Sequence, residues 1–330
     1  MKSAFRLFML AALLAAVAGG YVFYRLSQPY SGFPEPVFVE FPHGTSTSEM
    51  ARILASKGVV EQPWLFLAAR VFRRGTHLQA GEYRFQKPAS PLAVYSRIAR
   101  GDIYYMELLI PEGFNMFDIA AAVEKLGTMK AEEFLAAARN PAPIRDLDPA
   151  AESLEGYLFP NKYRVYRHTT APQICRQMTS EFRAQWRSLH TQASVHGTIT
   201  LASLVEREAR LPEERPKVAS VFQNRLRLGM KLDCDPTTVY AALLEDRYRG
   251  VIHRSDLDSK NPYNTYQHAG LPPGPIANPG LRSIRAVLEP AETSYLFFVA
   301  KADGTGGHNF SDSLRQHTAA VEQYQRATHH

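Results

Sequence analysis

The sequence is poor in cysteine, with only Cys175 and Cys234 among its 330 residues. It contains neither of the common zinc spacings CxxC and HExxH, so we expect no metal site. The glycine-rich patterns that cradle phosphates, GxGxxG and GxxxxGK followed by Ser or Thr, are also missing, so a nucleotide cofactor is not indicated. Two cysteines could form one disulfide in an oxidising compartment, but their spacing leaves this open.

Clusters of positive charge are missing too. The net charge is +6 and the isoelectric point is about 9.2, which suits a polyanionic partner or an anionic membrane surface. The basic residues are scattered, however, so we expect no nucleic-acid partner. A hydrophobic content of 45% and a charged content of 21% indicate a folded chain, long enough for two modest domains.

A long apolar run lies near the N-terminus, where Leu7 to Tyr24 carries no charge. Its 18 residues approach the length needed to cross a bilayer. Lys2 and Arg6 precede the run, which predicts a cytoplasmic N-terminus and an exported body. A cleaved signal peptide is the alternative, with Ala16-Val17-Ala18 as its small-residue cleavage site. The run continues beyond that site, which favours a transmembrane anchor over residues 1–28.

A Pro-, Ser- and Gly-rich linker over residues 29–36 leads to two similar units, residues 37–60 and 106–129. Each unit predicts a strand, a Pro-x-Gly turn and an amphipathic helix that ends at a glycine. The units are offset by 69 residues, which aligns three pairs: Pro42 with Pro111, Gly44 with Gly113, and Gly58 with Gly127. Between them, residues 80–101 predict a further strand, turn and helix.

This strand-glycine-helix pattern resembles LysM-type modules, which bind N-acetylated glycans. A Pro- and Asp-rich stretch at 140–152 predicts a domain boundary, which gives a LysM-like glycan-binding region over 37–150 and a second domain over 151–330. The fold class that we expect is α+β. The patterns of the second domain predict helices over 171–190, 198–210, 213–229 and 282–289, a strand over 295–300 that turns back as a hairpin, and a closing helix over 312–326.

One helix of the second domain carries an unusual acid. In LASLVEREAR (201–210), the apolar face is defined by Leu201, Leu204 and Val205. At about 100° per residue, Glu208 lies within about 10° of the centre of that face, while Glu206 lies about 150° away and is expected to point toward solvent or the side. A carboxylate on a buried face must be paired or protonated. It is therefore either half of a buried ion pair, with Arg225 as the candidate partner, or a general acid with a raised pKa.

The surrounding segments are rich in Tyr, Asn, Asp, Thr and Pro-Gly turns, which suit a preorganised sugar-binding groove. Taken in order, EGYLFP, LASLVEREA, VASVFQNRLRLGMKLDCDPTTVY, PYNTYQHAGLPPGPIANPG and YLFFVAKADGTGGHNFS resemble the MltG-type (YceG-like) endolytic murein transglycosylases. The resemblance runs from about residue 37 to the end. Two departures are Asn161, where the family usually has Asp, and Glu208-Ala209-Arg210, where the family's helix motif ends with a Thr.

The resemblance implies a LysM-like N-terminal part and a catalytic C-terminal domain. It implies cleavage within nascent glycan strands at the outer face of the inner membrane, by a single-pass protein with a periplasmic catalytic domain. The family's catalytic glutamate falls on Glu208. The acid would protonate the oxygen between MurNAc and GlcNAc, then accept the proton of the MurNAc 6-hydroxyl as that oxygen closes on C1. The product is a 1,6-anhydro end, and no metal or cofactor is needed.

Six further residues are candidates for orienting the sugar: Glu155, Asp235, Thr237, Tyr263, Asn264 and Tyr266. The expected partners are glycan strands, the inner membrane and peptidoglycan synthases. Two other functions stay open. One is a true muramidase that uses Asp233 or Asp235 as a second carboxylate. The other is a non-catalytic glycan-binding scaffold of the wall-synthesis machinery.

Overall fold

The computed structural model describes residues 2–72 and 76–328, which form two compact units that divide between Tyr105 and Met106. The first unit begins with the long N-terminal helix α1 (Lys2–Ser27). Its other elements, in chain order, are β1 (Val37–Phe41), α2 (Thr47–Ser56), α3 (Pro63–Phe72), β2 (Gly81–Phe85) and α4 (Pro91–Arg100). Strands β1 and β2 pair antiparallel, and the helices pack around them over one apolar core.

The second unit is larger and mostly helical. Its elements are β3 (Met106–Leu109), α5 (Met116–Lys125), α6 (Ala131–Ala138), β4 (Lys162–Val165), α7 (Ala171–Ser188), α8 (Val195–Glu208), a 3-10 turn (Pro212–Glu214), α9 (Arg215–Arg227), α10 (Asp235–Leu244), α11 (Arg254–Leu257), α12 (Leu281–Leu288), β5 (Phe297–Ala300), β6 (His308–Ser311) and α13 (Leu314–Thr328). Two antiparallel pairs, β3–β4 and β5–β6, complete it. The mixed α+β class is confirmed.

The compact units do not divide near residue 150, where the sequence predicted a boundary. Strand β3 pairs with β4 across the Pro- and Asp-rich stretch, from Met106 opposite Val165 to Leu109 opposite Lys162. The segment from Met106 to residue 150 therefore shares its core with the second unit. Pairing partners that lie far apart in sequence leave no local signal, which is why the linker-like composition at 140–152 was misleading.

The internal repeat appears in the structure, with one copy in each unit. In both copies a strand leads through a turn glycine at positive φ, 88° at Gly44 and 81° at Gly113, into an amphipathic helix. A second positive-φ glycine, Gly58 or Gly127, follows each helix. This conformation is readily adopted only by glycine, which explains why these positions match.

Most predicted elements of the second unit are present, with ends shifted by a few residues. Helix α8 differs from the prediction in its surroundings. Every residue from Thr198 to Val205 is buried, and the helix packs against α9, α10 and α12. It is therefore a central helix enclosed on several sides rather than a surface helix with one buried face. This enclosure fixes the position of its last residue, Glu208.

Helix α1 contains a stretch, Ser3–Ser27, that is long and apolar enough to cross a membrane. Its C-terminal end is built into the first unit, where Leu26 is fully buried in the core. The predicted linker is also attached to this unit, because Tyr30 forms a β-bridge with Ala89. The anchor candidate and the unit that follows it are thus joined by packed side chains.

Candidate active site

Glu208 is the last residue of α8, and the backbone turns extended at Ala209. The residue as a whole is partly exposed to solvent. Its carboxylate is nevertheless poorly hydrated, and this desolvation is the main cause that raises the pKa of Glu208 above its usual value. The structure thus places the predicted acid at the rim of the core.

Four neighbours adjust the charge of this carboxylate. The negative charge of Asp235 raises the pKa of Glu208 further. A hydrogen bond from the buried Cys234 thiol lowers it, as do the positive charges of His308 and Arg207. Among the residues that the structure describes, Glu208 has no ion-pair partner. These surroundings favour the protonated acid through desolvation and Asp235, and they also supply groups that stabilise the carboxylate.

The first of the two alternatives for Glu208, an ion pair with Arg225, is wrong. Arg225 is a buried residue of α9 that pairs with Asp233 at 3.1 Å. Its guanidinium also donates to the backbone carbonyls of Lys231, Leu232 and Leu296. Arg225 therefore holds the segment before α10 against the start of β5, and it does not pair with Glu208.

The expectation that Glu206 faces solvent is also wrong. Its side chain is only 5% exposed and accepts a 2.8 Å hydrogen bond from Arg215. Its other carboxylate oxygen accepts from the backbone N–H of Gly280 at 3.0 Å. The helical spacing predicts that one side of α8 meets water, whereas α9 and α12 cover that side. Glu206, rather than Glu208, thus forms a buried ion pair, and its partner is Arg215.

Asp235 and Tyr266 are the two predicted sugar-binding residues that reach the surface near Glu208. Asp235 begins α10 and is exposed. The Tyr266 hydroxyl donates a 2.6 Å hydrogen bond to the Oδ1 atom of Asp235. Burial of the tyrosine, and then this hydrogen bond, raise the pKa of Tyr266. The hydrogen bond joins an aromatic side chain to the carboxylate that acts on the charge of Glu208.

Thr237 and Asn264 are fully buried and act inside the protein rather than on a substrate. Thr237 donates to the carbonyl of Cys234 at 2.6 Å and bonds the Thr265 hydroxyl at 2.9 Å. Asn264 donates to three backbone carbonyls, those of Asp256, Leu257 and Ser259. Both residues fix the loops on which Asp235 and Tyr266 stand.

Glu155 is also buried, at 2% exposure. It accepts hydrogen bonds of 2.8 Å from the Met116 backbone N–H at the start of α5 and from the Asn278 side chain. Desolvation raises the pKa of Glu155 to about 8. Tyr263 is half-buried nearby, with its ring 5.1 Å from that of Tyr240. Glu155 therefore joins three segments of the core, which is not the substrate contact that its sequence motif suggested.

His308 was not among the residues predicted from the sequence, although it lies in the quoted GGHNFS motif. It begins β6, and its Nδ1 atom lies 2.7 Å from the Glu214 carboxylate. The same carboxylate accepts from the His308 backbone N–H at 3.0 Å. Glu214 thus orients the imidazole, whose positive charge acts on Glu208. A histidine after a glycine-rich turn was the available signal.

A cavity of about 840 Å³ lies between β4 and α7, and Asn161 is among the residues that line it. Neither Glu208 nor any predicted sugar-binding residue lines it. Cys175 and Cys234 are both free, buried thiols, so they do not form the disulfide that the sequence left open. Within residues 2–72 and 76–328, no cluster of His, Cys, Asp and Glu could hold a metal ion.

Comparison with known proteins gives concordant matches over most of the chain. A model of the YceG-like family matches residues 39–323. An endolytic murein transglycosylase of Bacillus subtilis is 32% identical over 309 residues, or 87% of this chain and 84% of the relative. A protein of that name from Streptococcus pneumoniae is 29% identical over 342 residues, which cover 90% of this chain and 61% of the relative. A crystal structure of a YceG-like protein from Listeria monocytogenes is 30% identical, with a TM-score of 0.55, and covers 86% of this chain and 99% of that one.

Proposed function

Because the chain belongs to the YceG-like family, we propose that it is a lytic transglycosylase that cuts within the glycan strands of peptidoglycan. The relatives from Bacillus subtilis and Streptococcus pneumoniae carry the name endolytic murein transglycosylase, and their similarity extends over most of this chain. The substrate is then the MurNAc–GlcNAc bond of a strand, and the reaction belongs to cell wall biogenesis.

The observation that carries the proposal is the state of Glu208. A general acid must hold a proton at working pH and meet the leaving oxygen directly. Desolvation and the charge of Asp235 favour the protonated form of Glu208, and the residue is partly exposed at the end of α8. A surface glutamate would be ionised at neutral pH and could not donate.

In the first step, Glu208 gives its proton to the oxygen between MurNAc and GlcNAc as that bond breaks. Positive charge then develops at C1 of MurNAc, and the carboxylate that remains faces it. The hydrogen bond from Cys234 and the charges of His308 and Arg207 stabilise this carboxylate. The neighbours of Glu208 thus support both forms of the acid that a two-step role requires.

In the second step, the Glu208 carboxylate accepts the proton of the MurNAc 6-hydroxyl while the oxygen bonds to C1. The strand ends in a 1,6-anhydro ring, and Glu208 regains the proton that it gave away. The nucleophile belongs to the substrate, which supplies the advantage of an intramolecular reaction. No second carboxylate, metal or cofactor takes part.

The muramidase alternative is less well supported. A hydrolase of this type needs a second carboxylate that acts as base or nucleophile. Asp233 is paired with Arg225, and Asp235 accepts a hydrogen bond from Tyr266. We assign Asp235 and Tyr266 to positioning the sugar, a role that two outward-facing polar groups beside the acid can fill.

The N-terminal part supports a second proposal, on location. Helix α1 anchors the protein in the inner membrane with its N-terminus in the cytoplasm, because Lys2 and Arg6 precede the apolar span. The strand-turn-helix units act as LysM-like elements that hold glycan near the membrane. Nascent strands and the synthases that make them are the partners available at that surface.

Digestion of purified peptidoglycan, followed by mass spectrometry of the products, tests the proposal. We expect 1,6-anhydroMurNAc ends and an early fall in mean strand length, since cuts fall within strands. Reducing MurNAc ends would instead show a hydrolase. Binding to peptidoglycan without any new ends would show a scaffold, and either result overturns the proposed reaction.

A further inference from the structure

Helix α3 is apolar apart from Arg70 in its last turn, yet one of its apolar faces is exposed. Leu65, Phe66 and Ala69 point into the core of the first unit. The opposite face consists of four large residues that are 37% to 59% exposed: Trp64, Leu67, Val71 and Phe72. Contiguous apolar surface of this kind marks an interaction site with a protein or a membrane.

The location of α3 relative to α1 indicates which of these covers the face. The ring of Phe72, at the end of α3, lies 6.1 Å from the ring of Phe23 in α1. Just before the start of α3, Glu61 forms an ion pair with Arg25 of α1. Both ends of α3 therefore contact the C-terminal end of the anchor helix.

The length of the span gives the depth of these contacts. Leu7 to Tyr24 is 18 residues, so it rises about 27 Å, close to the thickness of roughly 30 Å of a bilayer's hydrocarbon core. Phe23 then lies at the outer boundary of the hydrocarbon, and Phe72 lies at the same level. Tyr21 and Tyr24 are exposed there as well, as aromatic residues at membrane interfaces commonly are.

The two ties also define how α3 is oriented. Phe23 and Arg25 differ in height by only about 3 Å along α1, whereas α3 is about 15 Å long. A helix with both ends held at nearly one level lies across the anchor rather than along it. With α1 upright in the membrane, α3 lies close to the membrane plane.

We propose that α3 is an interfacial helix whose exposed face, from Trp64 to Phe72, inserts into the outer lipid headgroup region beside the anchor. The proposal rests on α1 being a membrane anchor, and it goes beyond it. It makes the first unit a rigid base fixed on the bilayer by two elements, which sets its orientation rather than leaving it on a free tether. Interfacial helices of this type bury their apolar face about 5–10 Å deep.

Depth measurements on the full chain test this proposal. The two natural cysteines are buried, so a nitroxide label can be attached at one introduced cysteine in Val71→Cys, Leu14→Cys or Ala184→Cys. The protein is placed in vesicles of phosphatidylethanolamine and phosphatidylglycerol. Collision of the label with oxygen is then compared with collision with a water-soluble nickel complex. Ala184 is an exposed position on α7 of the second unit and serves as the water-facing control.

We expect the label at position 14 to read deep lipid, the label at 71 to read the shallow headgroup region, and the label at 184 to read water. A reading at 71 equal to that at 184 overturns the proposal and points to a protein partner for this face. Water readings at both 14 and 71 would show that the anchor itself is wrong.

Tryptophan fluorescence gives a second measurement that needs no label. Trp64 and Trp186 are the only tryptophans of the chain, and Trp186 is buried in the second unit. In a full-length Trp186→Phe variant, lipids brominated near the headgroup should remove most of the Trp64 emission. The matched Trp64→Phe variant, which keeps Trp186, should lose little. Equal quenching in both variants would contradict an interfacial α3.

Discussion

The Glu206 carboxylate accepts a 2.8 Å hydrogen bond from the Arg215 guanidinium, and both side chains are buried. Two residues further along the same helix, Glu208 has no ion-pair partner among the described residues. The two acids therefore have different tasks. Glu206 holds α8 to α9 and to the loop before α12, while Glu208 remains available for chemistry.

This difference predicts that Glu206 is a stability residue. In Glu206→Gln the buried Arg215 loses its close anionic partner and keeps only Glu112, at 3.5 Å. Breaking a buried pair in this way commonly costs about 3 kcal/mol or more. Denaturant unfolding should show that loss, while Glu213→Gln, an exposed neighbour, should change stability by about 0.5 kcal/mol or less. Equal stability of the two variants would show that the pair contributes little.

Asp235 should tune Glu208 rather than replace it. Its negative charge raises the pKa of Glu208, so Asp235→Asn should lower that pKa. The alkaline limb of the kcat/KM profile, where the acid loses its proton, then moves to lower pH. Anhydro products should persist. Complete loss of activity at every pH, with folded protein, would favour the muramidase in which Asp235 is the second carboxylate.

His308 should act in the opposite direction. The positive charge of the protonated imidazole lowers the pKa of Glu208, so its removal should move the alkaline limb of the same profile to higher pH. Gln is the suitable substitution because its amide can still bond Glu214, the partner that lies 2.7 Å from Nδ1. An unchanged limb, or one that moves to lower pH, would mean that the imidazole does not act on the acid.

Glu155 predicts a pH-dependent stability. Its pKa is about 8 in the folded protein and about 4.5 unfolded, so the native state binds the extra proton between these values. The free energy of unfolding should fall as pH rises from about 4.5 to 8, by at most about 1.4 kcal/mol per unit for this group. Glu208 contributes with the same sign. Glu155→Gln should flatten the slope measured by denaturant unfolding at several pH values, and a slope equal to that of the wild type would contradict the assignment.

How much of the site could be predicted depends on whether the residues that surround each side chain are near it in the sequence. Glu208 could be singled out because an acid at the i+3, i+4 and i+7 positions of an apolar helix face is visible in ten residues of sequence, and its catalytic role stays a prediction. Glu206 was misplaced because α9 and α12, which cover it, come from elsewhere in the chain. The buried role of Glu155 depends on Asn278, which lies 123 residues away in the sequence. Local patterns reveal periodicity, but enclosure by distant segments requires the fold.

The prediction of helices and strands also succeeded where a local pattern was present and failed where it was not. Helices α7, α9 and α12 have one apolar stripe and were predicted close to their observed bounds. Helix α3, an apolar segment of only ten residues, and α10, which begins with the loop-like sequence DPTT, were not predicted. The boundary near residue 150 failed for a related reason, since the pairing of β3 with β4 is not encoded near either strand.

The measurement that tests the central claim most directly is the activity of Glu208→Gln on purified peptidoglycan, taken together with its melting curve. Gln keeps the size of the side chain and can still form hydrogen bonds, but it cannot deliver a proton. We predict a loss of at least about 10² to 10⁴ in rate with the fold intact, and Glu213→Gln as the matched control should retain its rate. A Glu208→Gln protein that is folded and cleaves strands at the wild-type rate would contradict the account.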